Sequence, residues 1–221
     1  MRISRSQSSC PSYCINDSPL DSVSTYKYLG VHIANNLSWK FHINYVTAKA
    51  NRMLGYLKRN FSLAPSPLKK QLYTTYVRPN LEYASSIWDP GHVSLNKTLE
   101  SVQNRSARFI LNNYHRTASV TNMKLSLNLP PLTVRRNIAR ICLFHKIYHH
   151  NHQLRTRLIT DAAHVSARVD HCYKVAIPRH NTTTYAHSFL PKTSRDWNQL
   201  PADLVAITDN HRFRICLTNI F

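Results

Sequence analysis

The stretch "YKYLGVHIANNLSWKFHI", residues 26–43, holds two different periods. In its first half Tyr26, Tyr28 and, past Gly30, His32 point one way, while Lys27, Leu29, Val31 and Ile33 point the other. That alternation is the period of a strand. From Ser38 the spacing changes. Ser38 is a good helix N-cap, and Ile43, Val46, Ala50, Met53, Leu54 and Leu57 then recur at helical intervals. The stretch therefore predicts a short β region that hands over to a helix of about 20 residues. Lys40, Lys49, Arg52, Lys58 and Arg59 fall largely on the other faces of that helix.

Working outward, "SYCIND" and "LDSVSTYKYLGVHI" flank turn residues at Asn16-Asp17-Ser18-Pro19, which suggests a hairpin, and a second turn sits at Asn35-Asn36. Toward the C-terminus, Ser66 and Pro67 open a second helix with Leu68, Leu72, Tyr76 and Val77 as its apolar stripe. Pro79 must break or kink it. The helical pattern resumes through Leu81, Ala84, Ile87 and Trp88 and stops at Asp89-Pro90-Gly91. A third helix is expected from about Ser94 to Leu111, with Leu95, Leu99, Val102, Phe109 and Ile110 inward and Gln103, Arg105 and Arg108 outward. A short helix near 118–127 follows. Pro130-Pro131 opens a fourth long helix ending near His150, with Leu132, Ile138, Cys142 and Leu143 as core and Arg135, Arg136, Arg140 and Lys146 riding on it. Beyond His150 the periodicity fades. One strand at "YKVAI" and a last organised piece, "TSRDWNQLPADLVAI", are the features there. The fold expected is mainly α with a small N-terminal β-hairpin, in three parts: 1–38, a helical bundle over 39–150, and a loosely ordered 151–221.

Across 221 residues, 29 Lys and Arg stand against 10 acidic residues, a formal charge of +19. Such an excess costs self-repulsion unless an anionic partner offsets it, and nucleic acid is the favoured partner. Residues 39–150 carry seventeen basic and three acidic side chains, net +14, so the charge is concentrated in the expected helical bundle. No apolar run approaches the ~18 residues of a membrane span, so no membrane partner is expected. Five scattered cysteines and an N-terminus without an apolar stretch read as reduced, intracellular and not secreted. With three glycines, none clustered, phosphate-cradling loops of the P-loop or dinucleotide kind are excluded.

Catalysis by two metal ions needs converging carboxylates, yet no two of the ten acidic residues are adjacent and most read as turn formers or caps. His145 and His149, four apart, could grip zinc from one helix face, with His150, His152, His171 and Cys172 near in sequence. No Cys-x-x-Cys pair supports that reading, and no serine or cysteine nucleophile stands in a recognisable setting. The basic rows carry more. Lys49, Arg52, Lys58 and Arg59 span close to three turns; Arg105 and Arg108 share a face, as do Arg135, Arg136 and Arg140. Rows of this kind suit phosphate tracking without sequence readout. Tyr26, Tyr28 and Trp39 add rings that pack against sugars or bases.

The runs "YKYLGVHIANNLSWKFHI", "KANRMLGYLKRN", "YVRPNLEYASSIWDP", "LESVQNRSARFI" and "SFLPKTSRDWNQLP" together resemble the C-terminal part of reverse transcriptases from non-LTR retrotransposons (LINEs) of the jockey and chicken-repeat kind. The resemblance covers roughly Ser12 to Phe213. It implies that Tyr26, Lys27, Tyr28, Leu29 and Gly30 form a primer-grip-like hairpin on a palm remnant, residues 1–38. It implies a thumb over 39–150 whose Lys49, Arg52, Lys58 and Arg59 face the backbone of a primer–template duplex, and the basic rows add Arg105, Arg108, Arg135 and Arg136 as expected backbone contacts. The intact family enzymes are RNA-directed DNA polymerases that use Mg²⁺. Their paired aspartates lie N-terminal to the matched hairpin, so the sequence is expected to be a truncated, catalytically silent fragment without a cofactor of its own. Its expected partners are primer–template nucleic acid and the missing polymerase part. A stand-alone basic binding module derived from such an element is the alternative, and a zinc-dependent enzyme using the 145–172 His/Cys group a remoter one. The resemblance gives "RDWNQLP" no role.

Overall fold

A computed structural model describes residues 13–166, 168 and 170–221; the expectations for residues 1–12, Cys10 among them, lie outside the described residues. The N-terminal part is two successive hairpins. Strands β1 (Cys14–Ile15) and β2 (Ser18–Pro19) pair across Asn16 and Asp17, which take φ of 48° and 61°. Strands β3 (Thr25–Tyr28) and β4 (Val31–Ala34) pair across Leu29 and Gly30, at φ of 45° and 85°. Positive φ at both central residues is what a tight two-residue hairpin requires, and Asn, Asp and Gly supply it at little cost. Leu29 does not, and is held there by a contact described below.

The turn corrects the reading of 26–33 as one alternating strand. Because the chain reverses at Leu29-Gly30, Tyr28 lies opposite Val31, Lys27 opposite His32 and Tyr26 opposite Ile33. His32 therefore shares a face with Lys27, not with the two tyrosines. Tyr26 and Tyr28 are exposed, and Val31 is buried.

Helix α1 (Lys40–Asn60) buries His42, Ile43, Val46, Thr47, Ala50, Leu54 and Leu57, close to the expected face. Ser38 Oγ accepts the Lys40 N–H at 3.3 Å, one residue outside the first helical turn. Next comes a continuous helical run: α2 (Ser66–Leu72), a π-helical turn (Tyr73–Val77) and α3 (Arg78–Glu82). Pro79 explains the wide turn. It offers no N–H to the Thr75 carbonyl, and its ring would crowd that carbonyl in a regular helix. The expected break thus takes the form of a bulge. The true reversal comes at Ala84, at φ 52°, before α4 (Ser85–Trp88).

Helix α5 (Val93–Ile110) crosses α1 and α2, α6 (Val120–Ser126) packs on α5, and α7 (Leu132–His150) follows. Glu100 starts α7 by accepting the Leu132 N–H at 3.0 Å and binds Lys124 Nζ at 2.6 Å. Gln103, expected outside, is fully buried: it accepts from Tyr73 Oη at 2.8 Å and donates to the Pro130 carbonyl at 2.9 Å. Both ends of its amide are satisfied, which removes the cost of burying it.

Two cores result. The first joins Val31, the α1 face, Tyr73, Val77, Leu81, Trp88, Leu99, Val102, Phe109, Ile110 and Leu132. The second joins Ile138, Ile141, Phe144 and Tyr148 of α7 to Val175, Trp197, Leu200, Leu204, Val205, Phe213 and Leu217. Of these last residues, Val175 lies between α8 (His152–Leu158) and α9 (Thr183–Ala186); the others come from α10 (Phe189–Asn198), α11 (Ala202–Val205), α12 (Asn210–Ile220) and the segments between them. Helix α7 belongs to both cores, so a boundary at residue 150 does not separate one packing unit from another. The second core is built from the part in which the sequence shows little periodicity. The strand expected at "YKVAI" reduces to one bridge, Asp161 to Val175.

Within this part "DWN" at 196–198 makes three different attachments. Asp196 pairs with Arg140, Trp197 is fully buried and donates its indole N–H to the Tyr173 carbonyl at 3.0 Å, and Asn198 bonds both backbone groups of Val175 at 2.9 and 2.8 Å. The "RDWNQLP" segment, which had no role in the sequence, is the piece that closes the second core.

Candidate nucleic-acid interface

Among the described residues, helix α1 leaves one long face unpaired. Tyr45, Lys49, Arg52, Tyr56 and Arg59 recur at intervals of four, three, four and three, which places them in one row along the helix. Lys49, Arg52, Tyr56 and Arg59 are exposed and Tyr45 is half-buried. At 1.5 Å per residue the row runs about 21 Å, on the order of six nucleotide steps of one strand. Lys27 of the hairpin extends it: its ammonium sits 5.6 Å from the centre of the Tyr45 ring.

A second basic group lies on the other flank, toward α5. Arg105 donates to Asn51 Oδ1 at 3.1 Å, and Lys58 Nζ stands 5.5 Å over the Tyr114 ring. Burial, then the neighbouring Arg105 guanidinium, push the Lys58 ammonium below its usual range. Two cations held together without an acid between them would be relieved by an incoming phosphate. Arg108 spends part of its guanidinium on the His115 carbonyl at 3.1 Å.

The sequence explains why this surface stays positive. Between Asp21 and Glu82 there is no acidic residue. The carboxylates that follow on the helices are committed elsewhere: Glu82 to Arg135 and, at 3.8 Å, Arg78; Glu100 to Lys124; Asp89 to Arg136, Arg140 and Lys192. Among the described residues, Lys49, Arg52 and Arg59 have no ion-pair partner.

Two of the expected phosphate contacts need correction. Arg136 is 1 % exposed, bonded to Asp89 at 2.9 Å and Asn96 at 2.6 Å, so its charge is used inside the protein. Arg135 is half-buried and holds Glu82 with two hydrogen bonds. Both serve packing between α7 and the α3–α5 region. Arg140, read as sharing their outward face, is also buried. The basic surface is therefore made by α1 and α5, with Lys49, Arg52, Lys58, Arg59, Arg105 and Arg108, and not by α7.

The hairpin residues Tyr26, Lys27, Tyr28, Leu29 and Gly30 stand at the N-terminal end of the row. They are tied to the helices by side chains that sequence reasoning did not single out. His42 Nδ1 accepts the backbone N–H of His32 at 3.2 Å, and its ring meets Trp88 edge-on at 5.1 Å. Tyr83 Oη donates to the Leu29 carbonyl at 3.0 Å. A histidine one turn into a helix after a hairpin, and a tyrosine fifty residues on, give no local signal of either contact.

His42 makes the hairpin's attachment depend on pH. Desolvation by burial, then the nearby His32, lower its pKa to about 4. Folding thus favours the neutral ring, whose Nδ1 lone pair receives the His32 N–H. This contribution is complete above pH 6.5, the unfolded value, and is lost as pH falls from there toward 4. Allowing for solvent screening, it amounts to about 2 kcal/mol. Urea midpoints should therefore fall between pH 7 and pH 4.5, and His42→Asn, which keeps an acceptor near Nδ1 but does not titrate, should flatten that dependence. An unchanged pH profile in the variant would remove His42 from this role.

Four histidines of the group read as a zinc grip, His145, His149, His150 and His171, are structural. His145 is buried, stacks on Phe213 at 4.0 Å and bonds the Ile207 carbonyl at 2.6 Å. His149 and His150 reach the Val205 and Thr208 carbonyls at 3.2 and 2.8 Å, and His171 the Trp197 carbonyl at 3.1 Å. Burial lowers the pKa of His145 and of His149, consistent with neutral rings that donate from Nε2. The spacing read as a zinc grip thus fastens α7 to the 205–208 segment. Among the described residues, no three His, Cys, Asp or Glu side chains come together as a metal site. No described helix is long and apolar enough to cross a membrane. No protein-family model, curated protein or solved structure matches this chain.

Proposed function

We propose that this chain supplies the duplex-holding part of an intracellular RNA-directed DNA polymerase of the non-LTR retrotransposon kind. In this reading the α1–α5 surface lies along the sugar–phosphate backbone of a primer–template, and the β3–β4 hairpin stands beside the strand end. The observation that supports it most is the row Lys49, Arg52, Tyr56, Arg59 on α1, flanked by Lys58 and Arg105 and free of any carboxylate over sixty residues of sequence. Contacts of this type position a strand without reading its bases. The step that would need Mg²⁺ is assigned to the rest of such an enzyme. The chain alone binds and does not extend a primer.

Binding of a primed duplex, followed by fluorescence anisotropy across a salt series, tests the proposal. Five released counterions, one for each of Lys49, Arg52, Lys58, Arg59 and Arg105, give a log–log slope of about −4.5 and a loss of roughly 500-fold in affinity between 50 and 200 mM salt. Two unrelated duplex sequences should give the same curve. Affinity indifferent to salt, or strong preference for one sequence, would overturn it.

A further inference from the structure

Tyr83 is an exposed ring held by its backbone, its hydroxyl and its packing. Its backbone N–H donates to the Pro79 carbonyl at 3.0 Å, and its own carbonyl accepts the Trp88 indole N–H at 2.7 Å. Trp88 is fully buried, so this anchor is fixed in the first core. The next residue, Ala84, turns the chain at φ 52°. The phenol donates to Leu29, and the ring rests on Gly30, where a Cβ would stand 3.2 Å from Cε1. Despite these restraints the side chain is 59 % exposed. A ring set in place before any ligand arrives loses little side-chain entropy when something packs on it.

We infer that Tyr83 is a stacking platform for an unpaired nucleobase. The inference rests on the reading of the α1–α5 surface as a nucleic-acid backbone site. Continuity supports it: Tyr83 holds the turn that ends β3, and Lys27 of β3 reaches back to Tyr45 at the head of the basic row. A strand lying on that row is thereby led toward the hairpin tip. The interior of a duplex hides its base faces, so the base that meets Tyr83 is one beyond the paired region. Tyr28 and Leu29, 59 % and 74 % exposed, give the tip an apolar border. The ring is also a positioning residue for the turn, since only Gly30 leaves it room, but a purely positioning role gives no reason for the ring to stay open to solvent.

The test compares a blunt duplex with the same duplex carrying a three-nucleotide overhang. The parent should bind the overhang more tightly. Tyr83→Leu should lose that preference, about 5- to 100-fold in affinity for the overhang, by the same factor at 50 and 200 mM salt, while binding the blunt duplex as the parent does. Tyr83→Phe and Tyr83→Trp should keep the preference. The indole emission of the Tyr83→Trp variant, measured as the change upon adding nucleic acid, should be quenched by the overhang and not by the blunt duplex; this reading holds even if Tyr83→Leu loosens the hairpin. No selective quenching in the Tyr83→Trp variant, or a Tyr83→Leu variant that keeps the overhang preference, would overturn the platform and leave the backbone site standing. A parent whose binding ignores salt would overturn the backbone site itself.

Discussion

Replacing Lys49, Arg52 and Arg59 together by alanine should weaken duplex binding roughly 500-fold at 0.1 M salt and shrink the salt slope from about −4.5 to about −1.8. The reasoning is that these three act through counterion release. Parent and variant should then converge near 1 M salt and diverge by about 0.9 of a decade per lost contact for every tenfold dilution. All three side chains are exposed on the helix. Alanine is the best helix former, so stability should change by well under about 1 kcal/mol. A control separates place from total charge. Lys97, Lys146 and Arg212 are also exposed and lie on other helices. Changing them to alanine removes the same three charges from the same +19. If net charge alone attracts the duplex, the two triple variants will weaken equally, and the α1 row loses its claim to be the site. If the row is the site, the control should keep nearly the full slope.

What the sequence shows of this surface, and what it hides, follows from distance along the chain. Helix α1 is legible because Ile43, Val46, Ala50, Leu54 and Leu57 repeat within one element, and their period leaves only one orientation for Lys49, Arg52 and Arg59. The turn at Leu29-Gly30 is less legible. Alternation continues unbroken through a two-residue reversal, so one strand and a hairpin read alike, and Leu is a poor signal for positive φ. Arg136 and Arg140 illustrate the other failure. Four apart on a helix, they look like one more solvated row; what buries them is Asp89, more than forty residues earlier, and Asp196, more than fifty later. No pattern within a window of one helix carries that information. The second core is hidden for a related reason. Trp197, Leu204, Phe213 and Leu217 sit on helices of four to eleven residues, too short to display a period, and each contributes one or two large side chains to α7.

The Asp89 cluster should also yield the largest single-residue effect on stability. Its carboxylate accepts from Arg136 at 2.9 Å, Arg140 at 2.6 Å and Lys192 at 2.6 Å, and its side chain is 9 % exposed. Burial alone would push this carboxyl up; the Lys192 ammonium and the Arg136 guanidinium outweigh it and hold the group below the ordinary aspartate range. Asp89→Asn removes the charge and leaves two buried guanidinium groups: Arg140 keeps Asp196, and Arg136 loses its only carboxylate among the described residues. They are poorly placed to bear it, because Arg136 Nη1 and Arg140 Nε already lack hydrogen-bond partners among the described residues. Breaking a buried pair from one side costs about 3–5 kcal/mol, which for a chain of this size lowers Tm by roughly 10–15 °C. Replacing an intact buried network by apolar groups is often neutral, so the cost lies in the stranded cations rather than in the lost bonds. Adding Arg136→Met to Asp89→Asn should therefore recover part of the loss, although each change alone is destabilising. Acid gives an independent reading. With a depressed folded pKa, the contribution of Asp89 is complete above about pH 4, the unfolded value, and is lost as pH falls below it through the folded one. The parent should lose that increment in acid, and Asp89→Asn, having already lost it, should not. Differential scanning calorimetry of the parent and both variants at pH 7 and pH 3 measures all of this. If Asp89→Asn melts within about 2 °C of the parent at pH 7, these cations find other partners and Asp89 is not what holds them.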